Sequence, residues 1–147
     1  GQLLLNLTEL TGTAIQIALK TQNISEFSID GHLFIPALPG TSDKILRFRE
    51  ILARGPATLA VLWTKSLKIP ASGTTEYVYE SRNQWMLITK DKTIPYHGIR
   101  TLNKLYPSVS KELTDFRRTL PKNTRRDRRL REAALVDACN SFTGKLK

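Results

Sequence analysis

The segment Arg125-Arg126-Asp127-Arg128-Arg129-Leu130-Arg131 holds the densest set of chemically capable side chains in the chain. Guanidinium groups present rigid forks of N–H donors that grip phosphate or carboxylate oxygens in pairs. Extending the window back to Arg117 gives eight cations against one acid, Asp127. The expected polyanion-binding set is therefore Arg117, Arg118, Lys122, Arg125, Arg126, Arg128, Arg129 and Arg131. If a last helix starts near Asn123 or Thr124, these charges crowd its N-terminus, where the macrodipole disfavours each by about 0.3–1 kcal/mol. Arg125 and Arg129, one turn apart, repel; Asp127–Arg131 and Arg128–Glu132 return a little of that cost. An external anion, held by first-turn amides and guanidinium forks, is the simplest account of so unfavourable an arrangement. A solvated arginine-rich linker or a nuclear-import signal is the plainer alternative.

Other chemistry is sparse. His32 and His97 stand far apart with no cysteine nearby, and Cys139 is the sole cysteine, so zinc-site spacing and an internal disulfide are both excluded. The chain has no Walker loop, no dinucleotide-binding glycine pattern and no nucleophile elbow. Its acids are scattered, without a pair placed for acid–base work. A nuclease using His97 of Tyr96-His97-Gly98 as its base is the one enzymatic alternative, against a plain loop histidine. The expectation is a protein that is not an enzyme and needs no cofactor or metal. Cys139 reads as a core thiol on an apolar helix face. Tyr77, Tyr79 and Trp85 could stack on bases, but few cations lie near them in sequence, so core packing is expected.

The whole chain agrees with this emphasis. Its 147 residues suit a single domain, 1–147, and 40% hydrophobic residues can build a core. The net charge of +10 is unevenly placed. Residues 1–98 carry 10 Lys+Arg and 8 Asp+Glu, a net of +2; residues 99–147 carry 13 and 5, a net of +8. Such a balance favours nucleic acid, acidic lipid headgroups or an acidic protein. No apolar run reaches 18 residues, and Gly1-Gln2-Leu3-Leu4-Leu5 lacks the basic start of a signal peptide. A protein that is neither secreted nor membrane-spanning is expected, in cytoplasm or nucleus, with a processed or truncated N-terminus. The sequons at Asn6 and Asn23 then read as chance.

The elements that would position the cations divide at about the same place, into a mixed α/β core at 1–97 and a basic helical region at 98–147. Thr13–Lys20 alternates as a strand, with Ile15, Ile17 and Leu19 on one face; Leu7, Leu10, Ala14 and Ile17 equally share a helical face. Asp30-Gly31 predicts a tight hairpin between Phe27-Ser28-Ile29 and Leu33-Phe34-Ile35. Thr41–Arg54 predicts a helix, with Ser42 as cap and Ile45, Phe48, Ile51 and Leu52 as its apolar face, ended by Gly55-Pro56. Thr58–Trp63, continuing to Ile69, predicts a central strand, apolar on both faces. After the loop Pro70–Gly73, a second hairpin is expected, with arms Thr75–Tyr79 and Gln84–Thr89 around Ser81-Arg82-Asn83. From Gly98 the period turns helical. Ile99, Leu102, Leu105 and Tyr106 form a short helix before Pro107; Val109, Leu113, Phe116 and Leu120 form a clean stripe before Pro121. A last helix presents Leu135, Ala138, Cys139 and Phe142. The fold class expected is α+β: an antiparallel sheet of hairpins packed with helices, its C-terminal third helical.

Residues 7 to about 90 resemble the core of rhabdovirus matrix proteins in the order of their segments. The order runs through Leu7–Gly12 (Leu-Thr-Glu-Leu-Thr-Gly), Ile29-Asp30-Gly31, a helix-like Lys44–Leu52, the apolar Leu59–Trp63, the loop Pro70–Gly73 and a Tyr-rich strand ending near Trp85. The Arg-rich C-terminal third departs from that pattern, and no Pro-Pro-x-Tyr motif is present. The resemblance implies a virion structural protein that self-associates as a homo-oligomer, condenses the nucleocapsid and binds acidic membrane through basic residues. Its partners would be nucleoprotein or nucleic acid and an acidic phospholipid surface, in the virion and the host cytoplasm or nucleus. The alternative is an RNA- or DNA-binding regulatory or accessory protein that docks its Arg-rich helix on phosphates.

Overall fold

A computed structural model describes residues 3–8, 14–19, 24–37, 47–68 and 78–145. The chain divides into two compact units, Gly1–Arg49 and Glu50–Lys147.

The first unit is made of hairpins. β1 (Leu3–Thr8) and β2 (Ala14–Leu19) pair antiparallel from Leu3↔Leu19 to Thr8↔Ala14. The alternation of Ile15, Ile17 and Leu19 is thus realised as a strand, and the helical alternative is excluded. β1 itself was not expected. β3 (Phe27–Ile29) and β4 (His32–Ala37) pair with Ile29 opposite His32. Asp30 and Gly31 both hold positive φ, 51° and 77°, as the mirror-image two-residue turn requires. Phe27 stacks on its cross-strand partner Phe34 at 5.1 Å and meets Phe48 edge-on at 4.9 Å.

The expected helix over Thr41–Arg54 is overturned. Arg47–Ala53 is a strand, β5, while Ser42 and Ile45 lie outside the described residues. In the second unit the neighbour order is β5, β6 (Thr58–Lys68), β7 (Val78–Ile88), β8 (Thr93–Pro95). β6 is the central strand its composition demands: Leu59, Ala60, Val61 and Leu62 are all buried, so both faces are covered. β7 overturns the second hairpin. It is one continuous strand, antiparallel to β6 from Lys68↔Val78 to Thr58↔Ile88, and Ser81, Arg82 and Asn83 sit mid-strand opposite Lys65, Thr64 and Trp63. Eleven paired residues outweigh the weak turn preference of a Ser-Arg-Asn triplet. Thr75–Tyr77 and the Pro70–Gly73 loop lie outside the described residues. The turn comes instead at Thr89–Lys92, closed by Thr89 N–H donating to the Lys92 carbonyl at 2.8 Å, and leads into β8, which the sequence did not suggest.

The helical third is as expected in outline. α1 (Ile99–Leu105) stops at Tyr106; a 3₁₀ turn, Pro107–Val109, leads into α2 (Ser110–Thr119). Val109, Leu113 and Leu120 are buried and Phe116 is half-buried, so the stripe faces inward. α3 (Lys122–Arg126) and α4 (Arg128–Gly144) follow Pro121. The helices do not form a separate body from the strands. Leu59, Val61, Trp85 and Leu87 of β6 and β7 pack with Tyr96, Leu102, Leu113, Leu135, Val136 and Cys139 in one core. Asn140 of α4 fastens the β5–β6 turn: its Oδ1 accepts from Ala57 N–H and its Nδ2–H donates to the Ala57 carbonyl, both at 2.8 Å. Phe142 meets Phe116 edge-on at 6.3 Å, joining α4 to α2. The fold class is α+β, with the C-terminal third helical.

Candidate polyanion interface

The arginine-rich run does not form one helix. Arg125 and Arg126 end α3, and Asp127 is extended (φ −81°, ψ 116°) before α4 begins at Arg128. Asp127, rather than Asn123 or Thr124, is the N-cap of the last helix. Its Oδ1 accepts from Arg129 N–H at 2.7 Å and Leu130 N–H at 3.1 Å. An external anion at these first-turn amides is therefore not needed: the chain's own carboxylate holds them.

Those side chains separate into internal and outward groups. Arg129 forms an ion pair with Glu50, a β5 carboxylate only 3% exposed that also accepts from Trp63 Nε1–H at 2.7 Å. Its guanidinium lies 5.7 Å from the centre of the Trp63 ring. Arg131 is likewise committed inward. Its Nε–H donates to the buried Glu132 carboxylate at 2.9 Å, and Nη1–H donates to the Arg125 carbonyl at 2.8 Å, tying the end of α3 to α4. Glu132 also accepts from the Tyr96 hydroxyl at 2.8 Å. Burial, with the Glu132 charge and hydrogen bond next, pushes the Tyr96 phenol well above its usual range.

Arg117, Arg118, Lys122, Arg125, Arg126 and Arg128 are exposed. Arg118 reaches Asp115 at 3.3 Å, but both side chains are mostly in solvent, where such a pair holds little. The outward cations gather around two clefts. One, of about 450 Å³, is lined by Thr114, Arg117, Arg118, Arg125 and Arg131. The other, of about 470 Å³, includes Arg100, Arg117, Arg128, Arg131, His97 and Glu132 in its wall. They share Arg117 and Arg131, so the cationic surface is continuous from the end of α2 to the start of α1. Lys122 and Arg126 line neither cleft.

Arg100 is the residue that sequence reasoning missed. It stands 17 positions before Arg117, in the first turn of α1, and only the packing of α1 against α4 brings it to the cleft. Gly98 (φ 83°) makes that turn, and His97 N–H donates to Thr101 Oγ1 at 2.9 Å as α1 begins. The His97 side chain is exposed at the cleft wall. Cys139 is fully buried, and burial pushes its thiol up to about 11, so it stays protonated and unreactive at neutral pH. Among the described residues, no group of three or more His, Cys, Asp or Glu side chains is placed to hold a metal. No helix among them is long and apolar enough to cross a membrane.

Comparison with protein-family models, with curated proteins and with solved structures finds no match to this chain.

Proposed function

We propose that the second unit binds the phosphate backbone of nucleic acid, RNA above all, as a binding protein rather than a catalyst. The observation that carries this is the pair of joined clefts, with exposed Arg117 common to both and Arg100, Arg118, Arg125 and Arg128 around them, while Arg131, held by Glu132, forms part of the wall between. Recessed cations on a continuous path suit successive phosphates of a strand better than a flat array of headgroups. Backbone contact without a base-reading helix in a groove implies weak sequence preference.

A second reading follows the resemblance to rhabdovirus matrix proteins: a self-associating virion protein that bridges nucleocapsid and acidic membrane. Trp63, 43% exposed, and Leu130, 54% exposed, favour it. Both adjoin Arg129, and apolar side chains beside cations are what an acidic membrane interface takes up.

The test compares wild type with a variant carrying Arg117→Glu, Arg118→Glu, Arg125→Glu and Arg126→Glu. All four are exposed, and among the described residues their side chains bond to no buried group. Single-stranded RNA binding is measured by fluorescence anisotropy, and acidic-vesicle binding by sedimentation, each across a salt series. The expected result is loss of RNA binding with an unchanged thermal midpoint. RNA binding equal to wild type would show that the clefts are not the site; vesicle binding and self-association without RNA binding by wild type would favour the second reading.

A further inference from the structure

The cationic path ends at a cavity of a different kind. This third cavity, of about 390 Å³, lies where β8 leaves β7 and is walled mainly by apolar groups, among them Trp85, Met86, Pro95 and Tyr96. Its size falls in the usual range for small-molecule sites. It shares two wall residues, His97 and Arg128, with the second arginine cleft. Asn83 and Gln84, both exposed, also line it. β8 pairs with β7 only from Met86 to Ile88, so among the described residues no strand covers β7 on that side from Val78 to Gln84.

Two features of this cavity point to a ligand. Trp85 is 7% exposed, yet among the described residues its indole Nε1–H has no hydrogen-bond partner. A buried donor left without an acceptor costs about 1–3 kcal/mol. Arg128, in turn, lies with its guanidinium carbon 4.5 Å from the centre of the Trp85 ring. Among the described residues that cation–π contact is the one interaction of this exposed side chain, and such a contact holds weakly at the surface. A guanidinium plane over an indole occupies the position that a flat heterocycle takes in a stacking site.

We infer that this cavity is a base subsite, taking one unstacked nucleobase of a single strand whose phosphates lie in the adjoining arginine clefts. The inference rests on the phosphate-binding reading above and adds the substrate class, a single strand rather than a duplex. In the free protein Arg128 covers Trp85; in the complex its guanidinium turns to the neighbouring phosphate and the base takes its place against the ring. Asn83, two residues from Trp85 and so on its face of β7, offers an amide donor and acceptor to the base edge, which every base can use, so selectivity among bases is weak. A duplex, whose bases stay stacked, reaches the clefts but not this cavity.

The test uses the full chain with three probes: a single-stranded RNA octamer, the same octamer with abasic sites throughout, and a duplex of equal length. Affinities are measured by anisotropy, and the indole N–H resonances of the two tryptophans are followed by NMR, assigned with Trp63→Phe. The expected result is binding of the octamer about ten-fold tighter than of its abasic form, the size of one stacking contact. The Trp85 resonance should shift with the octamer and stay in place with the abasic strand and the duplex. Trp85→Phe should keep the preference and Trp85→Leu should lose it; the wild-type comparison decides even if the Leu variant fails to fold. Equal affinity for the octamer and the abasic strand, with a stationary Trp85 resonance, would overturn the base subsite and leave phosphate binding intact. If wild type binds none of the three probes, the phosphate reading falls and the subsite falls with it.

Discussion

Arg131 distinguishes cations that hold the fold from those that face a ligand, and its removal has a calculable consequence. Its Nε–H meets a carboxylate that is 6% exposed, and its Nη1–H meets the Arg125 carbonyl. A hydrogen bond to a charged group contributes about 1.5–3 kcal/mol, and a neutral one about 0.5–1.5. Arg131→Ala should therefore destabilise the protein by about 2–4 kcal/mol, most of it from leaving Glu132 buried beside Tyr96 without its cation. With a urea dependence of about 2 kcal/mol per molar, the unfolding midpoint should fall by about 1–2 M. Arg126→Ala, at an exposed position lining neither cleft, should change stability by less than about 0.5 kcal/mol. Adding Glu132→Gln to Arg131→Ala should restore about 1–2 kcal/mol, because a neutral amide still accepts from the Tyr96 hydroxyl and needs no counter-charge. A loss below about 1 kcal/mol for Arg131→Ala, or a double variant less stable than the single, would refute this assignment of Arg131 to the fold.

Leu113→Ala should cost about 2–5 kcal/mol, since Leu113 is fully buried, and Phe116→Ala less, since Phe116 is half-buried; urea titration of both checks the order. Binding to single-stranded RNA should weaken linearly on a log–log plot against salt, with a slope of roughly −3 to −3.5 if four or five cations each neutralise a phosphate at about −0.7 apiece. A slope near zero in that titration would contradict a phosphate interface. Stability should fall at alkaline pH. Burial raises the Cys139 thiol to about 11 and raises the Tyr96 phenol, so the folded state keeps protons that the unfolded chain releases. Their contribution is intact below pH about 8.5 and is lost as pH climbs, by up to about 1.4 kcal/mol per pH unit for each group. Cys139→Ala should flatten the part of that decline between about pH 9 and 11, measured from urea midpoints at stepped pH.

Some of this structure is local and was legible in the residues themselves. Asp30-Gly31 needs no partner to prefer its turn, because the positive φ angles are intrinsic to those residues. The buried run Leu59–Leu62 can only be a covered strand or helix segment, and its Val-containing, Gly-Pro-preceded setting favours the strand. Val109, Leu113 and Leu120 keep their helical face because prolines at 107 and 121 bound it on both sides. The concentration of cations after residue 98 is a property of composition alone.

What the tertiary structure decided depends on residues distant in sequence. Phe48, Ile51 and Leu52 fit a helical face as well as a strand; position beside β6 makes 47–53 a strand, and no local preference reports that neighbour. Ser81-Arg82-Asn83 resembles a turn until β6 supplies Lys65, Thr64 and Trp63 opposite it. The arginines are the sharpest case. Arg126, Arg129 and Arg131 are chemically identical in the sequence. Folding pairs Arg129 with Glu50, 79 residues away, gives Arg131 to the buried Glu132, and leaves Arg126 in water. It also brings in Arg100 and lays Arg128 on Trp85. Charge is additive along a chain, so its total can be read from the residues; whether a given charge is desolvated, paired or free depends on distances of a few ångströms that only packing sets.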